Sequence, residues 1–125
     1  MTCSITETHI PSTGMMITAL LAQLPPDSQT KDFRTICAAL KDFQTRYPKL
    51  LPDVNFGHDG LSRTVEDIIF QMGVWHEFYT SDRGYRTTTS LVMHFVRTIA
   101  PRLDPAILDI IRQEGPVFSA HIIAQ

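Results

Sequence analysis

The sequence predicts an all-α fold, a compact single-domain bundle of about five helices, from three observations. Residues 61–80, LSRTVEDIIFQMGVWHEFYT, place Leu61, Val65, Ile68, Ile69, Met72, Trp75 and Tyr79 at three- and four-residue intervals, the spacing of one helix face. Four further segments carry apolar residues at the same period. The segments are separated by proline and glycine: Pro25-Pro26, Pro48, Pro101 and Gly115-Pro116. A chain of 125 residues, 43% apolar and 19% charged, is long enough to bury one core and too apolar to be disordered.

Residues 1–13 are polar and read as a flexible N-terminal arm, leaving 14–125 as the helical domain. The first helix is expected over residues 14–24, with Met16, Ile17, Leu20, Leu21 and Leu24 inward and Pro25-Pro26 as its stop. Asp27, Ser28 and Thr30 offer caps for a second helix over 31–47, whose stripe is Phe33, Ile36, Cys37, Leu40, Phe43 and Tyr47. A loop then runs to Gly60, with Leu50, Leu51 and Phe56 tucked onto the core. The central helix follows, capped by Ser62 or Thr64, with Glu66 and Asp67 where the helix dipole favours negative charge. Leu91, Val92, Phe95, Val96 and Ile99 make the next stripe, ended by Pro101. Asp104-Pro105 restarts a helix as N-cap and first residue, and Gly115-Pro116 is expected to close it.

Gly73 weakens the central helix by about 1 kcal/mol relative to alanine and opens an alternative. Residues 74–80 and 85–91 are rich in Val, Thr and aromatics, which favour strands. They could pair across the turn Ser81-Asp82-Arg83-Gly84. Periodicity favours the helix, because Met72, Trp75 and Tyr79 extend the stripe, whereas Val74-Trp75 and Phe78-Tyr79 spoil strand alternation. The hairpin would make the chain α+β and winged-helix-like, with a hairpin at 74–91. It would then resemble a winged-helix DNA-binding domain, the turn forming the tip of a wing behind a helix.

Composition narrows the function. The net charge of −2 exerts no general pull on nucleic acid or anionic membrane. No apolar run reaches the ~20 residues of a transmembrane helix, and the apolar stretch 15–24 lacks a basic flank and a cleavage site. A soluble, cytoplasmic protein without membrane association is expected. Cys3 and Cys37 lie far apart in pattern and read as free thiols.

Catalytic motifs are missing. There is no Gly-x-Ser-x-Gly elbow and no glycine-rich phosphate loop, and Cys37 sits on a core stripe. His76-Glu77 is followed by Phe78-Tyr79-Thr80, not by the second histidine of a zincin. His58, His76 and His94 could converge on a metal, but no spacing requires it. Asn55 to Glu66 partly follows a calcium loop, yet Gly57 and Arg63 occupy ligand positions, leaving too few oxygens. No enzyme, cofactor or metal is expected.

The candidate binding residues are Arg83, Tyr85 and Arg86 around the turn, where two cations flank an aromatic, and Trp75. Glu66 and Asp67 would repel phosphates from the neighbouring helix. The expected function is therefore a small non-catalytic protein-interaction or regulatory module, binding a protein partner or itself. A winged-helix nucleic-acid-binding regulator and a metal-dependent activity through the histidines are the alternatives.

Overall fold

The computed structural model describes residues 11–25, 28–30, 32–74, 78–81 and 84–123. Five helices dominate: α1 (Thr13–Leu21), α2 (Phe33–Arg46), α3 (Arg63–Val74), α4 (Thr89–His94) and α5 (Pro105–Ile122). A two-stranded hairpin, β1 (Phe78–Ser81) and β2 (Gly84–Thr87), lies between α3 and α4. The predominantly helical class is as the sequence predicts.

Each helix begins at a short polar side chain that accepts a first-turn N–H, which would otherwise have no partner. Ser12 Oγ accepts from Met15, Asp32 Oδ1 from Thr35, Ser62 Oγ from Val65, Thr88 Oγ1 from Leu91 and Asp104 Oδ1 from Ala106. Asp104-Pro105 and Ser62 match the expected caps. For α2 the cap is Asp32, nearer the helix than Asp27, Ser28 or Thr30.

The expected stripes form the core. Met16, Ile17, Leu20 and Leu21 of α1, Ile36, Cys37, Leu40 and Phe43 of α2, and Val65, Ile69 and Met72 of α3 are buried. They join Leu91, Phe95 and Ile99, and Ile107, Ile111, Phe118 and Ile122 of α5 in one cluster. The loop after α2 contributes Leu50, Leu51 and Val54. Gln44 straps it down, donating from Nε2 to Leu51 O at 2.6 Å and to Val54 O at 2.7 Å. The loop ends on Gly60, whose φ of +80° lies in the left-handed region that glycine enters without a Cβ penalty.

Two expectations fail. The central helix does not run on to Tyr79: α3 ends at Val74, one residue past Gly73, and residues 78–81 are extended. Strand propensity prevails because the hairpin has a second partner that the local sequence conceals. Residues 28–30 pair antiparallel with β2 on the edge opposite β1. Thr30 N donates to Tyr85 O at 2.7 Å, and Thr87 N to Ser28 O at 3.2 Å.

The second failure is the expected stop at Gly115-Pro116. Instead α5 continues to Ile122 with Pro116 inside it. Two burials hold the last turns in place, Phe118 at 3% exposure and Ile122 at 0%. Gly115 serves close approach, since a Cβ there would lie 3.1 Å from Gln23 Cβ just beyond α1. Beyond α5, Ile123 bridges back to Thr30. On the far side α5 is tied to α2, where Arg46 pairs with both Asp42 and Glu114.

Thr87 is fully buried and joins three strands of chain. Its Oγ1 donates to Pro25 O at 3.0 Å and accepts from Ser28 N at 3.2 Å. Thr87→Val keeps the shape but leaves both backbone groups without this partner. The variant is expected to lose roughly 1–2 kcal/mol in urea denaturation, with an unchanged m-value.

Candidate functional site

Two of the four sequence-predicted binding residues, Tyr85 and Arg86, lie within the described residues. Trp75 and Arg83 lie outside the described residues. Tyr85 is half-buried and packs against the core. Its carbonyl accepts from Thr30 N, Thr30 Oγ1 and Gln29 Nε2, and its N–H donates to Thr30 Oγ1. Burial, reinforced by Glu66, pushes its phenol above the usual tyrosine range. Neighbouring strand residues point to opposite faces, so Arg86 projects to solvent where Tyr85 turns inward.

The described histidines are dispersed. His58 is exposed in the loop after α2, His94 ends α4, and His121 lies near the end of α5 with Nε2 3.9 Å from Asp42. His76 lies outside the described residues. Among the described residues no group of three His, Cys, Asp or Glu side chains could hold a metal ion. Asp59, in the calcium-like loop, accepts from Leu61 N at 3.0 Å, and its backbone oxygen accepts from Arg34.

A different place is built like a binding site. Three helical walls line an open cavity of about 450 Å³, within the size class of small-molecule sites. The first turns of α1 supply Gly14, Met15 and Thr18. α3 supplies Asp67, Ile68, Gln71 and Met72. The third wall carries His94, Thr98, Ile99 and Arg102. The floor is buried, with Met72 at 3% exposure and Ile99 at 2%.

The third wall is irregular. α4 runs directly into a π-helical turn, Phe95–Ile99, and then a 3-10 turn, Ala100–Arg102. The Ala100 N–H reaches back to Phe95 O, five residues earlier. Such turns are rare and recur at functional sites. Pro101 cannot donate, so the regular ladder cannot continue through it. The widened turn keeps Phe95 and Ile99 in the core while His94, Thr98 and Arg102 line the cavity.

Asp67, Gln71, Thr98 and Arg102 are exposed, and among the described residues their side chains make no hydrogen bond or ion pair. Asp67 and Arg102 thus line one cavity without pairing with each other. Sequence reasoning assigned Asp67 to the helix dipole and left Arg102 unassigned. The signal was the polar ridge His94, Thr98, Arg102 at four-residue intervals, but its direction depends on how α4 packs.

The exposed apolar side chains are placed elsewhere. Phe70 is 69% exposed, on the side of α3 away from Ile68, Gln71 and Met72. Met93, Val96 and Val117 are also exposed and do not line the cavity.

Cys37 is fully buried against α3's start. Burial pushes its thiol above the usual range, partly offset by a hydrogen bond with the Ser62 backbone. The thiolate is the reactive form, so in a Cys3→Ser background Cys37 should resist iodoacetamide in the native state. Mass spectrometry should find it modified only as fast as the chain unfolds.

No helix among the described residues is long and apolar enough to cross a membrane. No protein-family model, no curated protein and no solved structure matches the chain.

Proposed function

We propose that the protein is a non-catalytic regulatory module whose binding site is the cavity between α1, α3 and the α4 wall. The observation that carries this reading is the cavity itself. It combines volume for a small molecule and an apolar floor with the exposed polar side chains of Asp67, Gln71, Thr98 and Arg102. Met15 and Met72 suit an adaptable pocket, because methionine side chains are flexible and polarizable.

Gly14 gives the test. A Cβ added there meets nothing within 4 Å, so a larger side chain enters open space. Gly14→Leu should stabilise α1 by about 0.5 kcal/mol while occluding the cavity. Wild-type protein is expected to enhance Nile red fluorescence, and Gly14→Leu to remove the enhancement with no loss of melting temperature. Unchanged dye binding in the variant would place the site elsewhere.

A second reading, a winged-helix nucleic-acid-binding regulator, is supported by one observation. The hairpin comes between α3 and α4 in the chain, and residues 28–30 bridge to the other edge of β2, widening it into a ribbon beside the helices. Arg63 and Arg86 are its exposed cations, while exposed Glu66 and Asp67 on α3 work against phosphate contact. On this reading, duplex DNA is retained on filters at low salt, and retention is lost in an Arg63→Ala, Arg86→Ala double variant. Absence of retention by the wild type would dispose of it.

A further inference from the structure

The cavity is open, so a side chain can enter it from outside, and its lining favours an aromatic one. Its volume of about 450 Å³ exceeds the roughly 150 Å³ that suffices for benzene. Met15 and Met72 line it together with Ile68 and Ile99, and a thioether makes a favourable contact with an aromatic ring edge.

The chain itself carries such a side chain. Phe70 is 69% exposed, the most of any large apolar residue among the described residues. It projects from α3, the helix that also forms one wall of the cavity. Asp67, in the cavity lining, comes three residues before it, so Phe70 and the cavity occupy adjoining stripes of one helix. A two-fold interface uses the same patch on both chains, and that patch must hold both halves of each contact. The α3 surface meets this condition.

Charge points the same way. Arg63 and Glu66 are exposed on the Phe70 side of α3, seven and four residues earlier. The cavity has exposed Asp67 on one wall and exposed Arg102 on another. A copy that lowers Phe70 into the cavity therefore brings a cation and an anion to a mouth that holds one of each. The net charge of −2 per chain gives little self-repulsion to oppose pairing.

Resting on the cavity as the binding site, we infer that its occupant is Phe70 of a second copy of this chain. The two copies form a closed two-fold pair in which each Phe70 fills the other's cavity. Both rings leave water and both cavities are used, so association stops at two.

Sedimentation equilibrium of the full chain tests the pair. The wild-type mass is expected to rise with concentration from one copy to two and no further. Phe70→Ser and the cavity-filling Gly14→Leu should each weaken association at least tenfold, as loss of a central interface aromatic does, with unchanged circular dichroism. Val117→Ser, at another exposed apolar residue outside the cavity, should leave the pair intact. With Nile red in fixed excess, fluorescence enhancement per chain should fall as the wild type pairs and stay constant in Phe70→Ser. A single-copy mass through the millimolar range would overturn the inference. So would growth beyond two copies, or a pair that survives either Phe70→Ser or Gly14→Leu. Nile red enhancement by Phe70→Ser that is lost when Gly14→Leu is added would, in each of those cases, still leave the cavity as the site.

Discussion

The pairing of residues 28–30 with β2 is the interaction on which the rest of the architecture depends. A two-stranded hairpin is marginal in water by itself. Here β2 is enclosed on both edges, by β1 and by the segment that joins α1 to α2. Thr30 and Thr87 are both buried, and their hydroxyls close the hydrogen bonds that the short strands leave over. Thr30 also bridges to Ile123, so the end of α5 is fixed to the same point. One three-residue segment therefore sets the positions of α1, α2, the hairpin and the C-terminal helix.

That arrangement determines where a cavity can form. α1 is drawn against α5, where Gly115 allows the close approach to Gln23. The hairpin sends the chain from the end of α3 back into α4, so these two helices and α1 form the three walls. α4 cannot follow a regular helical path and still seat Phe95 and Ile99, because Pro101 interrupts its ladder. The widened turn keeps both residues in the core and leaves space between the helices that other residues do not fill.

Helices were legible in the sequence wherever a stripe, a cap and a stop agreed, as in α2 and at Asp104-Pro105. Local signals misled where long-range contacts decided the outcome. The period through Met72, Trp75 and Tyr79 favoured a helix, but the extended partner of residues 84–87 lies at 28–30 and leaves no local mark. Gly115-Pro116 reads as a stop, yet burial of Phe118 and Ile122 outweighs one missing hydrogen bond. The cavity residues were hidden for a related reason. Gly14, Asp67 and Arg102 look ordinary in their own segments and acquire meaning only when three helices bring them together. Tyr85, singled out in the sequence for its ring, is half-buried against the core, and its backbone carbonyl ties the ribbon to Thr30.

The ribbon's connectivity has a consequence for how the chain acquires its shape. Its bonds to the 28–30 segment join residues 55 to 59 positions apart, so forming them closes nearly half of the chain into a loop. Loop-closure entropy must be met before such contacts contribute any stability. Helices α1 to α3 can gather their apolar faces through nearer contacts first. The ribbon and the end of α5 then lock together in one late, cooperative step. In the reverse direction, release of the 28–30 segment would free the hairpin and the C-terminus at once, making this the natural boundary of the protein's largest partial unfolding unit.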